Sequence, residues 1–175
     1  MEYNLLKKRI KTDQKAQTEV YAHCYKRVYA SCLRILRDAH EAEDLMQEAF
    51  IHAFGKIDSF RGDAELSTWI CRIAINKCLD HLKKRRVELC YDEHWVNRAE
   101  ESGSGEMESN YDVERIEKAM KDLPDGCRIV FTLHIFEEMD HKTIAKKLGI
   151  REGSSRAQYA RAKNKIQELV NETYV

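Results

Sequence analysis

The chain is poor in residues that interrupt helices. Its 175 residues include one proline, Pro124, and seven glycines, and both residue types disfavour the interior of a helix. No segment alternates apolar and polar residues over a length that would predict a sheet. With 43% hydrophobic and 34% charged residues, the composition favours a largely helical protein with a buried core and polar outer faces. We therefore expect an all-α fold.

Segments that direct a chain into or across a membrane are also missing. No apolar run approaches the roughly 20 residues that span a bilayer. The first residues, MEYNLLKKRIK, do not contain the apolar core of a signal peptide. These two observations lead us to expect a cytoplasmic protein without direct membrane insertion.

The sequence has no pattern typical of an enzyme and little that suggests a metal site. It contains no Gly-rich phosphate loop, no H-E-x-x-H and no nucleophile elbow. The six cysteines form no C-x-x-C pair, and a reduced cysteine among apolar residues acts as a small hydrophobe. His23 beside Cys24, and Cys78 with His81, suggest a metal or redox sensor, but two ligands on one helix do not complete a tetrahedral site. We expect no disulfide framework, no metal, no cofactor and no catalysis.

Net charge is zero, with 30 cationic and 30 anionic residues, but the charges are unevenly placed. Residues 88–117 hold ten acidic residues and two arginines, so the chain on either side is basic. Between Val87 and Tyr111 the hydrophobic period fails, and the centre, AEESGSGEMESN, has the composition of a solvated linker. We therefore predict two small helical domains, 1–86 and 112–175, joined by a flexible acidic linker at 87–111.

Apolar residues in the first domain recur at helical spacing. Steps of three and four residues predict amphipathic helices. The three sets are Val20, Cys24, Val28, Cys32 and Ile35; then Ala42, Leu45, Met46, Ala49, Phe50, Ala53, Phe54 and Ile57; then Trp69, Ile70, Ile73, Ala74 and Cys78, within a long segment from Leu66 to Arg86. The pattern predicts a helical bundle.

A loop and a basic helix in this domain are candidate nucleic-acid contacts. Arg72, Asn76, Asp80 and Lys83 share one helix face because they follow at intervals of four, four and three. Residues 83–86, Lys-Lys-Arg-Arg, suit phosphate contacts. Ser67 or Thr68 is predicted to cap the helix. The preceding loop contains Phe60, and an aromatic loop beside a basic helix is typical of sites for unstacked bases. The alternative is that Phe60 and Trp69 are core residues and that the basic run is merely solvated.

The second domain contains a helix-turn-helix pattern. One helix, marked by Val113, Ile116, Met120 and Leu123, ends near Pro124, and Ile129, Val130, Leu133 and Phe136 mark the next. In HKTIAKKLGIREGSSRAQYARAKNKI, Ala145 allows close helix crossing, Gly149 opens a turn and Ile150 fills the angle between two helices. Such a unit places the start of its second helix in the major groove. An ordinary helical hairpin is the competing interpretation. The candidates for DNA contact are Arg151, Ser154, Ser155, Arg156, Gln158, Arg161 and Lys165.

Taken together, these motifs resemble a known family. The run Ala42-Glu43-Asp44-Leu45-Met46-Gln47-Glu48-Ala49-Phe50, followed by Phe60-Arg61-Gly62, Ser67-Thr68-Trp69 and Arg72-Ile73-Ala74-Ile75-Asn76, resembles region 2 of the extracytoplasmic-function (ECF) sigma factors. Leu123-Pro124 with Arg128, and the helix-turn-helix from Ile144 to Ala162, are similar to their region 4. Ser154-Ser155 departs from the Thr-Val pair of many relatives.

The resemblance implies a fold, a function and partners. Region 2 would be a helical bundle that binds the clamp helices of the largest subunit of core RNA polymerase and melts the minus-10 element. Region 4, a four-helix helix-turn-helix domain, would read the minus-35 element and contact the polymerase flap. An anti-sigma factor is a usual further partner.

Carried over by motif position, the resemblance assigns three sets of site residues. Polymerase binding would use Asp44, Gln47, Glu48 and Phe50. Minus-10 binding would use Asp58, Ser59, Phe60, Arg61, Gly62, Asp63, Arg72, Asn76, Asp80, Lys83 and Arg86. Minus-35 binding would use Arg151, Ser154, Ser155, Arg156, Gln158, Arg161 and Lys165. An alternative function is a two-lobed DNA-binding regulator that acts without polymerase.

Overall fold

A computed structural model describes residues 2–84 and 113–172. The chain divides into two compact units, residues 1–87 and 88–175, and each is described by itself. Every regular element in the described ranges is helical, in agreement with the predicted all-α class. No helix in these ranges is long and apolar enough to cross a membrane.

The first unit is built on helices α1 (Glu2–Thr12), α2 (Gln14–Leu36), α3 (Ala39–Gly55) and α4 (Leu66–Lys84). Asp13 and Asp38 precede α2 and α3, and their carboxylates accept hydrogen bonds from the backbone N–H of Lys15 and Glu41, both at 2.9 Å. These bonds satisfy amides that have no partner inside the helix. Helices α2, α3 and α4 pack against one another as a bundle.

The predicted apolar stripes line the interior of this bundle. Cys24, Val28, Cys32 and Ile35 of α2 are buried, as are Ala42, Met46, Ala49 and Ala53 of α3 and Ile70, Ala74 and Cys78 of α4. Two details differ from the predictions. Ile57 lies beyond α3 in a short 3₁₀ turn, Ile57–Ser59. Ser67 and Thr68 lie inside the first turn of α4, which begins at Leu66, so neither precedes the helix as a cap.

Helix α1 has no counterpart in the predictions. It packs on the bundle through Ile10, which is fully buried against Ile57 and Phe60. Around this contact lie the partly buried Val20, Phe54, Leu66 and Trp69. Helix α1 therefore covers the start of the segment that joins α3 to α4.

The second unit contains α5 (Val113–Met120), α6 (Asp125–Phe131), α7 (His141–Leu148) and α8 (Glu152–Glu172), with a π-helical turn, Thr132–Phe136, continuing α6. Helix α5 ends at Met120, three residues before the predicted end at Leu123. The core joins α5, α6 and α8 through Ala119, Met120, Leu123, Cys127, Phe131, Ala162, Ile166 and Val170. The described part of this unit is thus a helical domain that ends in a short helix and a long one.

Candidate functional site

The α7–α8 pair has the geometry of a helix-turn-helix. Asp140 caps α7 by accepting a 2.6 Å hydrogen bond from the N–H of Thr143. Gly149 follows α7 with φ +71° and donates its N–H to the carbonyl of Ala145, as does Ile150 at 3.1 Å. This left-handed residue reverses the chain within two positions, so α8 begins at Glu152.

Two buried polar contacts hold α8 against the rest of the second unit. His141 Nδ1 lies 3.0 Å from Ser155 Oγ, which joins the start of α7 to α8. The thiol of Cys127 donates to Oε1 of Gln158 at 2.8 Å, which joins α6 to α8. Buried polar groups with partners fix a single packing arrangement, because breaking either contact leaves an unsatisfied group. The first turns of α8 are therefore set by interior hydrogen bonds.

Three of the predicted DNA-contacting residues are buried. Ser154, Ser155 and Gln158 are 5%, 0% and 3% exposed, so their side chains face the interior. Arg151, Arg156 and Lys165 are exposed, and Arg161 is half-buried. Arg156 pairs with Glu152 at 2.6 Å, and Lys165 pairs with Glu168 at 3.2 Å. The outward polar face of α8 therefore consists mainly of charged side chains.

An aromatic cluster surrounds the start of α7. The rings of His134 and His141 stack with centroids 4.4 Å apart, and Tyr159 of α8 lies edge-on to His134 at 4.6 Å. Burial, together with the neighbouring His134 and Arg156, lowers the pKa of His141 to about 4. Burial raises the pKa of Tyr159. His141 is therefore neutral at physiological pH.

In the first unit, α4 presents the predicted polar face. Arg72, Asn76, Asp80 and Lys83 are all exposed, and their spacing places them within about 80° around the helix axis. Arg86 lies outside the described residues. The face combines two cations, a carboxylate and an amide, which are groups able to contact both phosphates and base edges.

The segment between α3 and α4 consists of exposed polar residues around one buried aromatic residue, Phe60. Asp58, Ser59, Arg61 and Asp63 are exposed, and Gly62 adopts φ +80°. Phe60 is 2% exposed, and its ring lies 5.3 Å from that of Trp69. Phe60 therefore belongs to the core under the loop, which was the alternative interpretation of this aromatic residue, and the binding of an unpaired base by the loop stays a prediction.

Beside this loop lies a groove of about 440 Å³, lined by Glu19, Val20, His23, Cys24, Glu65, Leu66 and Ser67. At its rim the hydroxyl of Ser67 donates to Glu65 at 3.2 Å and accepts from Arg27 at 3.3 Å. The groove was not predicted, because its walls come from α2 and from the start of α4, which are about 40 residues apart in sequence.

Helix α3 presents an acidic stripe. Asp44, Gln47 and Glu48 are exposed as predicted, and Glu48 pairs with Lys77 of α4 at 3.0 Å. Phe50 is 3% exposed and packs on Tyr21, so its side chain lies in the core beneath the exposed stripe.

The same stripe contains a residue that the sequence predictions missed. Ile51 is 73% exposed and follows Asp44, Gln47 and Glu48 by seven, four and three residues, so it lies on their side of the helix. The sequence did contain a signal for this surface residue, because Ile51 lies outside the apolar stripe of α3.

Comparison with known proteins identifies the family. Residues 20–88 match the family model for sigma-70 region 2, and residues 113–166 match that for sigma-70 region 4. The chain is 30% identical over 183 residues to the ECF RNA polymerase sigma factor SigW of Bacillus subtilis (strain 168), with 96% of this chain and 98% of SigW covered. The chain belongs to the ECF sigma factors.

Further relatives agree with this assignment. This ECF sigma factor is 28% identical over 175 residues to the ECF RNA polymerase sigma-E factor of Escherichia coli (strain K12), with 91% of each chain covered. Its fold is similar to that of the sigma factor RpoE solved with the anti-sigma factor NepR from Bartonella quintana, with TM-score 0.55, 21% identity, and 88% and 96% of the two chains covered. CnrH, solved with the cytosolic domain of CnrY, gives TM-score 0.54 at 20% identity, with 97% of each chain covered.

Proposed function

We propose that this ECF sigma factor binds core RNA polymerase through the exposed stripe of α3 and directs it to promoters through α4, the loop before α4, and α8. Two ordered family matches in one chain, together with a helix-turn-helix whose Gly149 and buried polar contacts are in place, support this function. The reaction belongs to the polymerase, so the chain itself needs no catalytic residue. Its site of action is then the cytoplasm.

The polymerase-binding surface consists of Asp44, Gln47, Glu48 and Ile51. Three polar side chains, two of them carboxylates, surround one exposed isoleucine on a single face of α3. An apolar centre with a charged rim is the usual composition of a protein–protein interface. The carboxylates would complement a basic surface on the partner. An anti-sigma factor is a further expected partner, because the similar sigma factor RpoE was solved in complex with the anti-sigma factor NepR.

Promoter recognition is divided between the units. In the second, Arg151, Arg156, Arg161 and Lys165 face the minus-35 duplex, with arginine suited to guanine edges and lysine to phosphates. In the first, Arg72, Asn76, Asp80 and Lys83 of α4, together with Asp58, Ser59, Arg61, Gly62 and Asp63, face the minus-10 element. Domains 1–86 and 112–175, joined by the acidic segment 87–111, would hold the two contacts together, since tethering raises effective concentration.

The test is run-off transcription from a genomic library with core RNA polymerase and the purified chain. We expect selective initiation by the wild type. D44K and I51K should each reduce the amount of transcript at least tenfold, because substitutions near the centre of an interface have the largest effects on binding. Gel filtration with core enzyme reports association directly. E48K is less informative because it also opposes Lys77.

Control variants distinguish the loss of the binding surface from unfolding of the domain. E19K reverses the charge of an exposed carboxylate on α2, outside the stripe of α3, and L5N polarises another exposed apolar residue of this unit. Both are expected to retain association with core enzyme. A wild-type chain that binds promoter duplexes tightly by itself and never elutes with core enzyme would instead identify a regulator that acts without polymerase.

A further inference from the structure

Helix α1 lies outside the matched region 2 residues, which begin at position 20, and it contacts the loop between α3 and α4. The contact has an apolar part, in which Ile10 is buried against Ile57 and Phe60. It also has a polar part. Lys7 Nζ donates to the backbone carbonyl of Asp58 at 3.3 Å, and Lys11 forms an ion pair with the Asp58 carboxylate.

Two lysines of α1 reach this loop. Lys7 and Lys11 are four residues apart and therefore share one side of the helix. Lys11 is exposed, and Lys7 is half-buried. Arg9 lies on the opposite side, where it pairs with Glu19 at 3.6 Å. The loop edge therefore carries two ammonium groups, of which Lys11 pairs with the Asp58 carboxylate and Lys7 with its carbonyl.

We propose that Lys7 and Lys11 form a binding site for the phosphodiester backbone of the promoter strand whose unpaired bases occupy the loop. This inference rests on the proposed function. A strand that places a base at residues 58–63 runs its phosphates along one flank of the loop, and α1 forms a flank. Flexible ammonium groups at an exposed surface suit phosphate oxygens, which they bind as point charges.

Asp58 has a defined part in this proposal. In the protein without DNA its carboxylate holds Lys11, and its carbonyl holds Lys7, so both side chains are kept at the edge of the loop. Arriving phosphates compete with Asp58 for the same ammonium groups. Exposed ion pairs are weak, so phosphates can replace Asp58 as the partner of these lysines. The apolar packing of Ile10 need not change when this happens.

The experiment uses the complex of the full chain with core RNA polymerase and a promoter obtained from the run-off screen, with the minus-10 segment made single-stranded by mismatches. Binding is measured across a series of salt concentrations. The variant K7Q/K11Q is compared with R9Q/K15Q, which removes two exposed cations of the same unit away from the loop. The variant K7R/K11R keeps the charges.

We expect K7Q/K11Q to weaken binding about three- to tenfold near 0.1 M salt, and to lower the slope of log K against log salt by about 1.4, since each phosphate contact on a single strand contributes roughly 0.7. R9Q/K15Q and K7R/K11R should keep the wild-type slope, and all variants should bind core enzyme equally. An unchanged slope for K7Q/K11Q would overturn the proposal.

The variant D58N separates phosphate binding from simple bracing of the loop. If the lysines bind phosphates, removing the competing carboxylate leaves the salt slope of the wild type or makes it steeper. If they only hold the loop through Asp58, D58N reproduces the lower salt slope of K7Q/K11Q, and the proposal fails. The salt slope is the deciding measurement, because Asp58 itself belongs to the proposed minus-10 contacts and D58N can change the affinity in either case. A wild-type chain that does not associate with core enzyme would refute the proposed function instead, before any lysine variant is compared.

Discussion

At the scale of single residues, His141 links stability to pH. Its pKa is lowered by burial to about 4, whereas an unfolded histidine titrates near about 6.5. Between these values the unfolded chain binds a proton that the folded chain excludes, so unfolding becomes easier as pH falls. Above about 6.5 this contribution is constant.

We therefore predict that H141Q flattens the dependence of unfolding free energy on pH. The wild type should lose about 1 to 2 kcal/mol more than H141Q between pH 7 and pH 4.5, less than the full shift implies because the ring is partly exposed. Chemical denaturation followed by circular dichroism measures both. His52 is exposed, so H52Q should follow the wild-type curve, and a flat wild-type curve would contradict the assignment.

Residues near the start of α8 show where reading the sequence fails. Arg151 and Arg156 were predicted to face outward and are exposed, whereas Ser155 and Gln158 were given the same role and are buried. Periodicity locates a helix but does not fix which polar residues meet partners from distant helices. The partners here, His141 and Cys127, lie 14 and 31 residues away.

At the scale of elements, the turn between α7 and α8 depends on one backbone conformation. Gly149 has φ +71°, and a Cβ built there would contact nothing within 4 Å. Replacing Gly149 by a residue with a side chain would therefore cause no clash with neighbouring atoms. It would still cost about 1 to 2 kcal/mol of folding free energy, because an L-residue disfavours the left-handed conformation.

We predict that G149A lowers the free energy of unfolding by about that amount and weakens minus-35 binding, because α8 loses its fixed entry angle. G149N should cost less, since asparagine tolerates this conformation. Gly55 also has open space around a built Cβ but no positive φ, so G55A is the matched control and should be neutral or slightly stabilising. Equal effects of G149A and G55A would show that the turn conformation is unimportant.

Long periodic helices were predictable, and short ones that depend on distant contacts were not. Helices α2, α3 and α4 each carry an apolar stripe over several turns, and the stripes are buried as expected. Helix α1 has 11 residues and buries Ile10 only against Ile57 and Phe60, about 50 residues later in the chain. A short pattern of this kind does not predict a helix until its partners are known.

At the scale of the whole molecule, composition predicted two units because the acidic stretch interrupts the helical period. Most of that stretch, including the four glutamates at 100, 101, 106 and 108, lies outside the described residues. The boundaries of the linker, 87–111, stay a prediction. So does its proposed second role, which is to lie against the basic DNA-binding faces and suppress binding to DNA in the absence of polymerase.

We predict that E100Q/E101Q/E106Q/E108Q strengthens binding of the chain alone to promoter duplex, since four negative charges no longer compete with phosphates. Fluorescence anisotropy at low salt measures the change, and raising the salt should diminish it. A linker with the same residues in permuted order keeps its charge and should bind as the wild type does. Unchanged affinity after neutralisation would refute the role of the linker.

The ion pair between Glu48 and Lys77 connects the stripe of α3, proposed to bind polymerase, with α4, proposed to bind DNA. Glu48 lies on the stripe of α3, and Lys77 adjoins Asn76 on α4. A docking partner that engages the Glu48 carboxylate removes the counter-charge of Lys77. Occupying α3 would therefore make the electrostatic potential around Lys77 on α4 more positive. The chain would attract nucleic acid more strongly once mounted on its enzyme than before, without any movement of its backbone.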